Sequence, residues 1–182
     1  MASWIRIVAP WANSTSASRE DAASAWSPLS PVRAADAITS GALHLEFQPV
    51  VALAGDRAGL VIGLRAQAVW QHPQLGRREQ ADFMPAAEDH GCADRVADFV
   101  WRSALAQLAD WRSRRGERCP PWVVVPGWAC SWRRDDLVSG VQQLLAELQL
   151  PASALQVSLA EPLLATDDSL PARVQALRAL GV

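Results

Sequence analysis

The sequence has neither lysine nor tyrosine: its 17 basic residues are all arginine, and its aromatic residues are nine tryptophans and three phenylalanines. It also lacks any apolar run approaching the roughly 18 residues that a membrane-spanning helix needs. Met1 to Pro10 lack the long apolar core of a secretory signal peptide. These absences argue against a membrane-spanning or secreted protein, so we expect a cytoplasmic protein without a membrane partner.

Cysteine is scarce, with Cys92, Cys119 and Cys130 as the full set. None of them belongs to a CxxC pair, so the sequence predicts neither a disulfide nor a zinc site of the usual spacing. His90-Gly91-Cys92 has no second Cys/His pair at ligand spacing, which favours a histidine at a helix end beside a buried thiol. We therefore expect no metal and no other cofactor.

The sequence has no large excess of either charge: 17 basic and 19 acidic residues give a net charge of −2. The two signs are interspersed, which argues against nucleic acid as a partner and against membrane-surface binding by bulk electrostatics. The densest basic cluster, between Arg112 and Arg118, is best explained as a solvated helix end. With 50% hydrophobic residues, the chain suits one globular domain with a sizeable core.

Composition divides residues 1–40 from residues 41–182. Asn13 to Pro31 are dense in Ser, Ala, Thr and Pro, which predicts a flexible leader. The apolar residues between Trp4 and Trp11 suit a short strand or a docking peptide, and an unstructured end explains them about as well. Residues 41–182 are interpreted as the folded domain.

The folded range opens with a predicted β-hairpin. Leu43 to Leu53 and Leu60 to Trp70 are rich in Val, Ile and Leu. Ala54-Gly55-Asp56-Arg57 supplies turn chemistry between the two runs.

Helices and strands alternate after the hairpin. Apolar residues recur with a helical period in Ala93 to Arg112, Leu137 to Leu148 and Pro171 to Leu180. Trp122 to Val125 and Ala154 to Leu159 are short apolar runs of the kind found in buried strands. This order is the signature of parallel βα units, so we predict an α/β fold.

Several segments have the order and spacing of a known family. Phe47-Gln48-Pro49, the run from Ile62 to Pro73 and the stretch from Ala81 to Gly91 resemble the opening of an EAL domain, the family of cyclic di-GMP phosphodiesterases. Leu177 to Val182 resembles the entry to that family's next strand. The resemblance implies a partial TIM-barrel-like fold, with an initial β-hairpin followed by parallel βα units. It covers about the first half of a barrel that needs roughly 250 residues.

The resemblance also implies a two-metal site, in which carboxylate and amide oxygens hold divalent ions that activate water. The family's signature Glu-Ala-Leu reads Arg65-Ala66-Gln67 in this sequence. Pro126 replaces the asparagine after the buried strand, and Ser158 replaces the glutamate of the following strand.

The charge reversal at Arg65 opposes metal binding. A guanidinium about 4 Å from a divalent ion is repelled by roughly 8 kcal/mol even at an effective dielectric near 20. Val69 stands where the family has an arginine that contacts phosphate, while Glu161 keeps a glutamate of the family. The family's remaining catalytic groups are expected beyond Val182. We therefore predict that the chain is not an enzyme and has no catalytic residues.

Two functional hypotheses of different classes follow. In the first, the chain is a degenerate EAL-like pseudoenzyme that acts in cyclic di-GMP signalling as a regulatory or protein-interaction module. In the second, it is a receptor that binds cyclic di-GMP without cutting it, with Gln48, Arg65 and Gln67 as candidate ligand contacts. A truncated remnant without function is a third alternative.

The expected half-barrel predicts open strand edges and an uncovered inner face. We expect Leu64, Val124 and Val157 to line that face, and exposed edges invite pairing with another chain. The sequence therefore predicts a homo-oligomer, a protein partner or a leader that folds back. Large aromatic side chains are favoured at interfaces, which makes four tryptophans the candidate contacts: Trp4, Trp11, Trp128 and Trp132.

Overall fold

A computed structural model describes residues 36–160, residue 163 and residues 167–182. Five strands form one sheet in the order β1, β2, β4, β5, and β3 pairs with β2. The strands are β1 (Leu43–Val51), β2 (Val61–His72), β3 (Gly76–Glu79), β4 (Val123–Gly127) and β5 (Leu155–Leu159). The helices are α1 (Gln80–Asp89), α2 (Ala93–Arg115), α3 (Ala129–Arg133), α4 (Leu137–Glu147) and α5 (Leu170–Leu180). Most of the predicted leader, including Trp4 and Trp11, lies outside the described residues.

The predicted hairpin is present. β1 runs antiparallel to β2, and Gln48 lies opposite Arg65. Runs of Val, Ile and Leu favour the extended backbone of both strands. Between them, Gly55 and Gly59 have φ angles of 79° and 81°, a conformation that glycine adopts without steric cost.

β2, β4 and β5 are parallel, as the order of βα units predicted. Arg65 of β2 is in register with Val124 of β4, and Val124 is in register with Gln156 of β5. The chain passes through α2 before β4 and through α4 before β5. The α/β prediction is therefore confirmed.

Two strands share one edge of β2. β1 pairs with β2 from Val61 to Trp70, so β3 and β4 must both lie along the other edge. β4 occupies that edge at Leu64 and Arg65, and β3 occupies it from Val69 to His72. Beyond Arg65, β4 no longer pairs with β2, and β3 pairs with the carboxyl end of β2 instead. The sheet therefore divides after Arg65.

α2 packs its apolar stripe against the sheet. The ring of Trp111 meets Phe47 of β1 edge to face, with 4.8 Å between the ring centroids. Four other apolar residues, at helical spacing within the predicted range Ala93 to Arg112, are fully buried: Val96, Val100, Ala104 and Leu108. The amphipathic pattern therefore identified the buried side of this helix correctly.

The helices cover one face of the sheet, toward which the buried side chains of Val123 and Val125 point. Register partners in parallel strands point to the same face. Leu64 pairs with Val123 and Val157 pairs with Val125, so both belong to the helix-covered face. The prediction that Leu64 and Val157 line the inner face together with Val124 is therefore wrong. Side chains alternate along a strand, so of these three residues only Val124 lies on the face away from the helices.

α2 carries acidic residues near its start and arginines near its end. Asp94 lies in the first turn, whereas the last turn holds Arg112, Arg114 and Arg115. These charges complement the helix dipole. Nε of Arg114 lies 2.8 Å from Oδ1 of Asp110, one turn earlier. The arginine cluster is thus located at an exposed helix end, as predicted.

Among the described residues, no helix combines the length and the apolar character that a membrane crossing requires.

Candidate functional site

The positions assigned to ligand contacts lie on the side of the sheet opposite the helices, which we call the open face. It carries the exposed side chains of Arg65 and Gln156, with the half-buried Val124 between them. Every second residue of a strand shares a face, so Gln67 follows Arg65 on β2. Gln48 lies beside Arg65 on β1. The three predicted ligand contacts, Gln48, Arg65 and Gln67, therefore share the open face.

Two side-chain hydrogen bonds cross the open face from β1 to β3. Nε2 of Gln48 donates to Oε1 of Gln67 at 2.9 Å, and Nε2 of Gln67 donates to Oε2 of Glu79 at 3.1 Å. Gln67 thus links the strands on either side of β2. A ligand that used these amides would have to compete with protein hydrogen bonds.

Arg77 of β3 lies between two carboxylates on the same face. Its terminal nitrogens bind both oxygens of Glu46, with Nη2 at 2.9 Å from Oε2. Nη2 also lies 3.6 Å from Oε1 of Glu79. The hydrogen bond to Glu46 raises the pKa of Arg77. The charges in this part of the open face are therefore largely balanced within the protein.

Arg65 stands apart from that network. Its side chain is exposed, and it has no hydrogen bond or ion pair with any part of the chain that the structure describes. Its register partners are Gln48 on one side and Val124 on the other. Neither neighbour carries a charge, so the positive charge of Arg65 is not compensated there.

Pro126 of β4 and Ser158 of β5 are register partners. They lie two residues beyond the pair Val124 and Gln156, toward the carboxyl ends of the two strands. Pro126 is buried, and its carbonyl oxygen accepts a hydrogen bond of 2.9 Å from Nε1 of Trp101. Oγ of Ser158 donates to the carbonyl oxygen of Val125 at 3.3 Å. The hydrogen bond at Pro126 thus ties β4 to α2, and the one from Ser158 ties β5 to β4.

The residues at the three substituted positions do not fit a divalent cation. Hard cations take oxygen ligands, but Arg65 offers only N–H donors and Pro126 has no side-chain oxygen. The hydroxyl of Ser158 is the one side-chain oxygen left. Within residues 36–160, 163 and 167–182, no three His, Cys, Asp or Glu side chains form a group that could hold a metal ion. Glu161 lies outside the described residues.

The tryptophans named as contact residues differ in exposure. Trp132 is only 4% exposed, and its Nε1 donates to the carbonyl oxygen of Gly127 at 3.1 Å. We therefore no longer expect Trp132 to contact a partner, because α3, a helix that the sequence did not predict, holds its ring in the core. Trp128 is half-buried against the same core. Trp4 and Trp11 are outside the described residues.

Sequence reasoning missed Glu46, Arg77 and Glu79. β3 has four residues, three of them charged, and no apolar alternation that would indicate a strand. Glu46 carried a usable signal, because a residue two positions before Gln48 in a strand shares its face.

Exposed apolar side chains concentrate at the tip of the hairpin. Leu53 is 94% exposed, although leucine is usually buried. This hairpin tip lies beyond Leu64, where β2 begins to pair with β4, and so projects from the end of the sheet opposite Pro126. Within the described residues, the exposed large hydrophobic residues are Val51, Leu53, Leu60 and Val61.

Comparison with known proteins gives a consistent family assignment. The family model described as EAL domain matches residues 32–182. An uncharacterised Mycobacterium tuberculosis protein, Rv1357c, is 34% identical over 147 residues, which are 80% of this chain and 47% of the relative. A Pseudomonas aeruginosa protein named cyclic di-GMP phosphodiesterase PA2567 is 30% identical over 131 residues, which are 72% of this chain and 21% of that protein. The chain thus spans about half the length of the first relative and about a fifth of the second.

Solved structures share the fold. The PaMucR phosphodiesterase in complex with c-di-GMP superposes with a TM-score of 0.71 and 26% identity, covering 84% of this chain and 60% of that one. The FimX EAL domain from Pseudomonas aeruginosa bound to c-di-GMP gives a TM-score of 0.68 at 21% identity, covering 82% of this chain and 57% of that one. These matches confirm the partial TIM-barrel-like architecture that the sequence predicted.

Proposed function

This chain belongs to the EAL domain family, and we propose that it is a member that does not hydrolyse cyclic di-GMP and acts as a regulatory module in cyclic di-GMP signalling. Its role would be contact with a protein partner or with another copy of itself. Two relatives are named as cyclic di-GMP phosphodiesterases. The resemblance to the family places Arg65, Pro126 and Ser158 where its pattern has metal-binding residues.

The observation that carries this proposal is the side-chain chemistry at Arg65, Pro126 and Ser158. Two-metal phosphodiester hydrolysis needs divalent ions that activate water and stabilise the displaced oxygens. A guanidinium at the signature position repels such ions, and a proline supplies no ligand in place of an amide. The nearby carboxylates of Glu46 and Glu79 are bound to Arg77.

A direct assay tests the proposal. Purified chain is incubated with cyclic di-GMP and either Mg²⁺ or Mn²⁺, and the linear dinucleotide product is measured by chromatography. We expect no product above a control without protein, while a phosphodiesterase of the family assayed in parallel gives turnover. Hydrolysis that follows the chain through a second purification step would overturn the proposal.

A restoring substitution adds a second test. We expect R65E alone to give no hydrolysis, because Pro126 and Ser158 still replace an amide and a carboxylate. Measurable turnover by this single variant would show that other groups can assemble the site.

The hairpin tip is the surface that best suits the proposed protein contact. Contiguous exposed apolar side chains mark interaction sites more often than single ones do. Leu53 and Leu60 flank one turn, and neither contributes to the core.

The second candidate function, a receptor that binds without cutting, is favoured by the uncompensated charge of Arg65 on the open face.

A further inference from the structure

The end of the sheet that carries the hairpin tip also receives the last turn of α2. Nε1 of Trp101 donates to the carbonyl oxygen of Pro126, near the carboxyl end of β4. Further along the helix, Nη1 of Arg112 donates at 3.3 Å to the carbonyl oxygen of Pro121, just before β4 begins. α2 therefore runs antiparallel to β4, and its last arginines lie at the amino end of that strand. The hairpin tip projects from the same end.

Contacts through Trp122 join the arginines to the base of the hairpin tip. Trp122 follows Pro121, and its carbonyl oxygen accepts a hydrogen bond of 3.0 Å from the amide of Leu64. Its indole covers Gly63, which lies two residues from the exposed Val61. The arginine segment and the hairpin tip are therefore neighbours at one end of the molecule.

The positive charge at this end is not balanced within the described part of the protein. Arg112 donates to a neutral carbonyl oxygen, and Arg115 and Arg118 have no ion pair with any described residue. The dipole of α2 supplies only about half a negative charge at its C-terminus. Glu117, whose side chain lies outside the described part, offsets at most one of the three charges. We call the hairpin tip together with Arg112, Arg115 and Arg118 the amino-end surface.

Arginines at the end of α2 also share a depression. Arg114, Arg115 and Arg118 line an open space of about 400 Å³, and all three side chains are exposed. The planar fork of a guanidinium matches the two oxygens of a carboxylate. Arginines that face one depression therefore suit a ligand that carries several carboxylates close together.

We propose that the amino-end surface binds a segment of a partner protein that combines carboxylates with large apolar side chains. The arginines bind the carboxylates, and the leucines of the hairpin tip cover the apolar side chains. This inference rests on the proposed function, which assigns a protein contact to the chain, and it specifies the chemistry of the partner.

The hairpin tip favours a protein over other anionic partners. Nucleic acid presents phosphates, but it would leave the 94% exposed Leu53 without an apolar contact. An anionic membrane would draw the turn into the headgroup region, where the exposed carboxylate of Asp56 is repelled. The turn from Ala52 to Leu60 also lacks the aromatic residues that favour a membrane interface. An acidic protein segment complements both parts of the surface.

Fluorescence anisotropy with labelled synthetic peptides tests the inference on the full 182-residue chain. The probe is a short peptide in which pairs of glutamate and pairs of leucine alternate. Two matched peptides replace either every leucine by serine or every glutamate by glutamine. We expect the Glu/Leu peptide to bind most tightly, and we expect its affinity to fall with added salt because exposed charges are screened.

A double substitution examines the arginines. We expect R115Q with R118Q to weaken binding of the Glu/Leu peptide by about threefold or more, the effect of losing two exposed ion pairs. Binding of the Gln/Leu peptide should not change. The matched control is R102Q with R133Q, which lowers the net charge equally by removing exposed arginines from the middle of α2 and from α3. This control should bind the Glu/Leu peptide as the wild type does.

A second double substitution examines the apolar part. We expect L53S with L60S to weaken binding of the Glu/Leu peptide by about tenfold or more, because apolar area is no longer buried. Serine at Ala54 and Ala58 in the same exposed turn should have no effect. Thermal melting of each variant establishes that it is folded.

The possible failures can be told apart. The inference would be overturned if the Glu/Leu peptide did not bind, if the Glu/Ser peptide bound as tightly, or if R115Q with R118Q had no effect. Tighter binding to vesicles of phosphatidylserine and phosphatidylcholine, or to duplex DNA, would overturn it as well. So would self-association that R115Q with R118Q abolishes, because the occupant would then be a second copy.

None of these results bears on hydrolysis. The proposed absence of cyclic di-GMP hydrolysis stands if the peptide does not bind. Product formation in the direct assay would overturn the proposed function, whatever the peptide does.

Discussion

The indole ring of Trp122 occupies the place where a side chain on Gly63 would project from the sheet. A Cβ on Gly63 would come 2.2 to 2.3 Å from three ring carbons. Since real Cβ contacts are much longer, either the ring or the strand would have to move. The glycine therefore allows the close approach of Trp122.

We expect Gly63→Ala to destabilise the fold by about 1 to 3 kcal/mol, the usual cost of overpacking. Urea unfolding measures this change. The matched control is Gly140→Ala in α4, where a Cβ meets nothing within 4 Å. That substitution should stabilise the protein by about 0.5 to 1 kcal/mol, because alanine is the better helix former. Equal effects of the two substitutions would contradict the packing argument.

Trp101→Phe should cost about 1 to 3 kcal/mol, because it removes a buried donor from the carbonyl oxygen of Pro126. Chemical denaturation gives the value. Trp128→Phe is the control, since Trp128 is half-buried and has no such hydrogen bond among the described residues. If both variants lose the same stability, the hydrogen bond from Trp101 contributes nothing specific.

The pKa of Asp136 lies below its usual value of 3.8, mainly because its carboxylate accepts hydrogen bonds from Arg134. A depressed pKa means that the folded state holds the proton less tightly than the unfolded state. The resulting stability is present above about pH 3.8 and is lost as the pH falls through the folded-state pKa.

We expect R134Q to move the pKa of Asp136 back toward 3.8, and NMR titration of the side-chain carboxyl group measures the shift. Asp167 is the internal control, because its pKa is lowered by hydrogen bonds from Ser169. Its titration should be unchanged. An unaltered Asp136 in R134Q would show that Arg134 is not the cause.

The double substitution of Leu53 and Leu60 by serine should leave the melting temperature nearly unchanged, because surface substitutions typically alter stability by no more than about 0.5 kcal/mol. If the hairpin tip is the contact surface, the same variant should lose self-association or partner binding. Multi-angle light scattering measures self-association. Serine at Ala54 and Ala58, in the same exposed turn, provides a control that keeps both leucines. A wild-type chain and a double variant with the same mass at every concentration would exclude a homo-oligomeric contact there.

The order of elements was predictable because hydrophobic period and turn residues are local signals. The hairpin, α2, α4 and α5 follow directly from such patterns. β3 and α3 were not predicted. β3 is four residues long and mostly charged, and α3 has five residues directly after a strand. Elements of that length depend on tertiary contacts more than on their own sequence.

The faces of the parallel strands were harder to predict. The all-apolar run of β4 does not show which of its residues alternate inward. Val124 was therefore grouped with Leu64 of β2 and Val157 of β5, which the register places on the opposite face. The ligand candidates on β1 and β2 were placed together correctly, because Gln48 and Gln67 come from a hairpin with an alternating polar face. The hydrogen bond from Gln67 to Glu79 could not be predicted, because Glu79 lies in β3 and the sequence did not indicate that strand.

The division of the sheet beyond Arg65 sets a length scale for any ligand. Strands in a sheet lie about 4.8 Å apart, so inserting β3 beside β2 separates the carboxyl ends of β2 and β4 by about 10 Å or more. Beyond Arg65, a small anion can therefore reach β2 or β4, but not both strands. Arg65, by contrast, is the last position on β2 where β4 is still an immediate neighbour. A compact group bound there meets two strands at once, whereas a molecule that joins the two branches must span roughly 10 Å.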